Sequence, residues 1–325
     1  METPQPPAAP DRECTIVAGI VTRSSRMIRF VLLMCLTGNA YAVQSTVDID
    51  TAAKVYQAAA IREQVRASLG AMPEHIRHLF AADSAAKLSD AQLAAVTAAA
   101  TRGFRIDVFE APALQALADH LDPATFNKTQ AFLASDLGRR MVSADVALAE
   151  LGESGIDKVM NGEITAPSTP KRDLIFEQLE RATHSTESTV AIFLSMGEAV
   201  AVGTAVGSGL DSTAVAERAR KSGEASRAGM EENMRLPMRR FLAYGYRDLS
   251  DADLKHLLSF MESTAGKRYV TAYNASMGAG YDAMGRRTGE QLGESLRELA
   301  EAQMAPPPEA LPPAGIAAPP PVLPH

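Results

Sequence analysis

Two stretches decide how this chain folds: LDPATFNKTQAFLASDLGRRMVSADV, Leu121–Val146, and LSDADLKHLLSFMESTAGKRYVTAYN, Leu249–Asn274. Laid over one another at an offset of 128 positions, they agree at eight of 26 pairs, among them Phe132/Phe260, Ser135/Ser263, Gly138/Gly266 and Arg140/Arg268. Each copy opens with a helix N-cap signal, Asp122-Pro123 in one and Ser250-Asp251-Ala252-Asp253 in the other, because a short polar side chain there accepts from a free backbone N–H. Each then carries a serine with a glycine three residues on. That spacing predicts one helix ending and a second beginning at the serine, whose hydroxyl caps the new turn. Asp136 falls in that first turn, where the helix dipole favours negative charge. Gly138 and Gly266, lacking Cβ, let a neighbouring helix come close.

Outward from these stretches the pattern stays helical. Asp48–Leu69 is Ala-rich with Val55, Ile61, Val65 and Leu69 near helical spacing, and Gly70 stands where a C-cap would. Pro73 opens a short helix to Phe80, and Ser89-Asp90-Ala91-Gln92 is a capping box for a helix towards Arg102. No stretch alternates apolar and polar residues long enough for a sheet. Asn161–Asp173, with Gly162, Pro167 and Pro170, breaks the pattern. The expected fold is all-α: a helical bundle of two repeat-related halves, 48–160 and 174–300, joined by a linker over 161–173. Residues 305–325 hold nine of the chain's 19 prolines and read as a disordered tail, since proline donates no backbone hydrogen bond.

The front of the chain reads as an export signal over 1–42. Arg23, Arg26 and Arg29 precede a short apolar run from Phe30 to Leu36, and Ala40-Tyr41-Ala42 supplies an A-x-A cleavage site. Met27 directly precedes a minimal signal, so 1–26 reads as a mis-called start. Large Met34 before Cys35 argues against lipidation. Cleavage after Ala42 removes both cysteines, four basic residues and three acidic ones, leaving a thiol-free chain of net charge −8. Such a chain belongs in the periplasm or outside the cell, and has no thiolate nucleophile or Cys-ligated metal. The full chain's net charge of −7 offers no footprint for nucleic acid.

Residues 249–269 resemble the signature of an uncharacterised exported bacterial family, the domain of unknown function numbered two-zero-five-nine. The family's run is Phe-Tyr-x-Ser-Pro-x-Gly followed by a basic residue. Here it stands as Phe260-Met261-Glu262-Ser263-Thr264-Ala265-Gly266-Lys267. Phe260, Ser263, Gly266 and Lys267 agree, while Met261 and Thr264 depart from the Tyr and Pro. The resemblance spans about 245–300, with a fainter echo at 121–148, and implies an all-helical exported domain with no established activity.

Chemistry-bearing patterns are sparse. Ser84-x-x-Lys87 with Lys221-Ser222-Gly223 suggests a penicillin-recognising serine enzyme, but Ser84 precedes a cap, Lys221 lies in a helical run, and no S-x-N or Y-x-N follows. His75 and His78 share a helix face without a third ligand nearby, and Glu231-Glu232 point around a helix rather than across a cleft. Tyr269, Tyr273, Met277, Tyr281 and Met284 form one stripe that reads as a bundle seam. Thr189–Leu210 is long enough to span a bilayer, with Gly203-x-x-x-Gly207 and the single charge Glu198. Its other reading is the central helix of a soluble bundle. The sequence thus implies no cofactor and no metal. It points to a non-catalytic envelope protein that binds an unknown envelope protein or ligand, with a membrane-associated protein using 189–210 and a cell-envelope hydrolase as alternatives. The residues expected to build its motif are Phe132, Ser135, Gly138, Arg140, Phe260, Ser263, Gly266, Lys267 and Arg268.

Overall fold

The computed structural model describes residues 46–69 and 89–304, and among them there are twelve α-helices and no strand. The export signal with Ala40 and Ala42, the Gly70 cap, the 73–80 helix, His75, His78, Ser84, Lys87 and the 305–325 tail lie outside the described residues. Helices α1 (Ile49–Ala58) and α2 (Ile61–Leu69) replace the single helix expected over 48–69. The chain turns at Ala60, at φ 48°, and the turn sends Val55 and Ile61 both into the core, fully buried. Alanine is the best helix former, so no local signal marks this break.

The cap signals elsewhere produce the helix starts they specify. Ser89 and Gln92 close a capping box on α3 (Asp90–Gly103). After α4 (Ile106–His120), Asp122 accepts from the Ala124 and Thr125 amides, both at 3.0 Å, to start α5 (Pro123–Leu133). Next come α6 (Asp136–Ala149) and α7 (Gly152–Asn161), which ends on Gly162 at φ 80°. Residues 162–169 separate it from α8 (Pro170–Thr183), so the helix resumes inside the expected 161–173 linker, with Thr169 capping and Pro170 in the first turn. Then follow α9 (Ser185–Gly207), α10 (Ser212–Gly245), α11 (Asp251–Glu262) and the 41-residue α12 (Thr264–Met304).

One contiguous core draws on both sides of 161–173: Ile61 and Val65, Phe109 and Leu117, Phe176 and Leu179, Leu254 and Leu257, and Met284 all pack into it. We call this part the frame. The expected Tyr/Met stripe is its seam on α12. Tyr269 and Met284 are buried, Tyr273, Met277 and Tyr281 pack at their edges, and Tyr281 meets Phe109 edge-on at 5.4 Å.

Beyond the frame, the second half of α12 enters an arm with α3, α9 and α10. Contacts advance together along α9 and α12, from Ser195–Asp282 (3.0 Å) to Ser208–Gly293 (3.4 Å), so the two helices run parallel. Their meeting face is backbone against backbone. A Cβ on Gly203 would stand 2.9 Å from the Glu290 nitrogen, on Gly289 2.8 Å from that of Thr204, and on Gly293 2.7 Å from that of Ser208. The Gly203/Gly207 face therefore meets a helix of its own chain. Residues 208–210 of the apolar 189–210 segment fall in the turn to α10. Arg235 pins α10 where it joins the frame, reaching Glu187 at 3.1 Å and buried Glu180 at 3.8 Å.

Candidate functional site: twin helix–serine–helix junctions

The two stretches singled out by the sequence form two junctions of one geometry. Ser135 lies at φ −71°, ψ 163° between α5 and α6, and Ser263 at φ −66°, ψ 160° between α11 and α12. Each hydroxyl donates to the carbonyl of the phenylalanine three residues back, Phe132 or Phe260, at 2.6 Å. Each accepts from the glycine amide three residues on, at 3.1 Å from Gly138 and 3.0 Å from Gly266. The glycines admit the last turn of the helix just ended, rather than a more distant helix. A Cβ on Gly138 would sit 2.7 Å from Leu133 Cα, and one on Gly266 2.8 Å from Met261 Cα. With both hydroxyl functions used by backbone, neither serine is poised as a nucleophile.

The junctions face each other. Phe132 and Phe260 stack with centroids 3.8 Å apart and planes within 4°. Arg140 of the first junction forks onto Asp253 at the start of α11, at 3.0 and 2.7 Å. Arg268 of the second reaches Asp122 at the start of α5, at 2.7 Å. Each arginine therefore clamps the acid that opens the other copy's first helix. Burial works against the Asp122 charge, but the Thr125 hydroxyl and amide together with Arg268 outweigh it and hold the carboxyl at about 2. The Arg140 guanidinium and the Ser250 hydroxyl and amide hold Asp253 well below the usual carboxylate range.

Beneath the phenylalanines lies a polar cluster that sequence reasoning missed. Asp145 on α6 accepts from the Tyr246 hydroxyl at 2.8 Å. Tyr269 continues the ladder from Phe260 at 6.4 Å and meets Tyr273 at 6.0 Å, whose hydroxyl donates to Gln64 at 3.1 Å. Burial pushes the Asp145 carboxyl up to about 7 against the opposing Tyr246 hydrogen bond. Burial first and the Asp145 charge second push Tyr246 and Tyr269 above the ordinary phenol value, and burial first, then Tyr269, then Asp145 do the same to Tyr273. The one available signal was the repeat itself, since Asp145 and Tyr273 occupy matching positions in the two copies.

Lys267 stands apart from the other eight expected residues. It is exposed and lines an open cleft of about 670 Å³ with Gln178, Arg181, Ala182, His184 and Glu262. His184 joins α8 to α9 at φ 51°, a conformation costly for a residue with a Cβ. Among the described residues no group of three or more His, Cys, Asp or Glu could hold a metal ion. Lys221-Ser222-Gly223 lies within α10 and forms no strand. The site's chemistry is that of a clamp: stacked rings, reciprocal ion pairs and saturated hydroxyls. The chain matches no protein-family model, no curated protein and no solved structure.

Proposed function

We propose that this is an exported, non-catalytic envelope protein in which a duplicated helix–serine–helix unit holds a rigid frame and the α9–α10 arm engages a partner. The likeness of residues 245–300 to the exported family of unknown function belongs to this reading, as does cleavage after Ala42. One observation carries it: α10 buries only Met238 and Gly245, so its long stretch from Ser212 to Pro237 has no buried residue. A helix gains most of its stability by burying a face, and this one leaves the outer face to another molecule. A photoreactive side chain at Ala225 on the exposed face of α10, compared with one at exposed Ala147 on the frame, tests the reading in the cell. Adducts at 225 and none at 147 support it; equal or absent labelling refutes it, as does turnover of peptidoglycan or lipid by the purified protein. Edman sequencing of exported material is expected to begin at Val43.

A second reading places α9 against a membrane. The helix has a mean hydropathy of 1.7 over its most apolar 18 residues, of which a third are buried, and Phe193, Val206 and Leu210 are 46%, 51% and 50% exposed. Against it stands the charged outer face of α10, which would have to follow α9 towards lipid. Flotation with anionic vesicles separates the two: co-flotation lost in Phe193→Ser would favour the membrane.

A further inference from the structure

We infer that the partner of α10 is a second copy of this chain, seated antiparallel across a two-fold axis at Ala225; the inference rests on the arm being the binding surface. The outer face of α10 carries Ala214, Arg218, Ala225, Ala228, Glu232 and Leu236, at successive spacings of four, seven, three, four and four, all exposed, Leu236 by 50%. This is the spacing of a helix–helix seam. A Cβ on neighbouring Gly229 would meet nothing within 4 Å, so the face is open.

The charges identify the occupant. Most charged side chains of α10 are engaged within the chain: Lys221 with Glu217, Arg220 with Glu224, Arg227 with Glu231, and Arg235 with Glu180 and Glu187. Arg218 and Glu232 have no hydrogen bond or ion pair among the described residues. They are opposite in sign and lie seven positions to either side of Ala225, about two helical turns each way. An antiparallel copy turned about Ala225 sets Arg218 against the partner's Glu232 and Glu232 against the partner's Arg218. Ala225 then meets itself, and Ala214 lies beside the partner's Leu236. No like charges meet in this register: Glu217 falls opposite Asn233, Lys221 opposite Gly229 and Arg227 opposite Gly223. Such self-complementarity is what an isologous two-fold contact requires. A surface built for nucleic acid or anionic lipid would carry one sign of charge.

The test uses the full chain with Cys14→Ser and Cys35→Ser, so that an introduced thiol is the sole one. Ala225→Cys should give a disulfide-linked dimer under mild oxidation, and Ala147→Cys should not. Without oxidation, sedimentation should show Arg218→Glu and Glu232→Arg each weakening the dimer at least tenfold, and the double exchange restoring it. Helicity by circular dichroism should match the parent in all variants, since both positions are exposed. Linkage at 225 no stronger than at 147, or a double exchange no better than the singles, overturns the dimer. If non-self photoadducts nonetheless form at 225, the arm remains a binding surface and only the identity of its partner fails; if neither dimer nor adducts form, both readings fall.

Discussion

The frame and the arm reach compactness by opposite means. In the frame, large side chains fill the space between helices: Phe109, Phe176, Leu117 and Leu254 are buried around one core, and burial of such groups at roughly 25 cal/mol per Å² drives the packing. In the arm, Gly203 and Gly207 of α9 meet Gly289 and Gly293 of α12, and there the backbones approach until glycine is the one residue that fits. At those glycines close backbone packing contributes dispersion, beside a small buried cluster of Val96, Ala99 and Leu292. Helix α10 packs on α9 and turns small and charged residues outward. A region that buries little of itself opens more readily than one built around a side-chain core.

That contrast can be broken most forcefully at the glycines. Gly266→Val would drive Cβ into the Phe260 carbonyl beside the core, with an expected loss of about 3–5 kcal/mol in denaturant unfolding; a wild-type midpoint would show that the junction tolerates bulk. Gly289→Val should cost less, about 2–4 kcal/mol, and locally. Hydrogen exchange should quicken along α9, α10 and the end of α12 while α4 and α11 keep their protection. Global loss in that variant would mean that frame and arm unfold as one.

The half-buried Asp145 carboxyl of the frame offers the next test. Asp145 is raised to about 7 from an unfolded value near 4, so its neutral form is the one the fold favours. Its contribution is complete below pH 4 and is lost as pH rises towards and through 7, by on the order of 2–4 kcal/mol. Thermal melts should show Asp145→Asn gaining on the parent between pH 4 and 8, and parallel curves would refute the assignment. Smaller still, a double-mutant cycle over Phe132→Ala and Phe260→Ala should return a coupling of about 1 kcal/mol. The ion pairs should contribute least, about 0.5–1 kcal/mol for Arg268→Ala. Asp122 is held at about 2, so that contribution is present above pH 4 and should vanish as pH falls to 2.

What the sequence made legible was local. Ser89, Asp122 and Ser250 announce helix starts because capping joins residues two or three apart, and the repeat announces its junctions because both halves of each hydrogen bond lie in one short motif. The break at Ala60 was hidden, since tertiary burial of Val55 and Ile61 imposes it on a segment of good helix formers. The Asp145–Tyr246 bond and the Arg140–Asp253 clamp were hidden too, because their partners lie 101 and 113 residues apart. The glycines of α9 did announce a close contact, but not whether lipid, another copy or α12 would make it. Their chemistry is the same in all three cases, and topology alone decides.

Helix α12 belongs to both regions, and at about 1.5 Å per residue its 41 residues form a rod about 60 Å long. Its foot is gripped at Ser263 by the stacked phenylalanines, and its tip carries the outermost turn of the arm. Such a rod is a lever: a tilt of about 5° at the foot sweeps the tip through about 5 Å. A molecule grasping the far end would thereby load the seam from Tyr269 to Met284, which holds the near half of the rod in the frame.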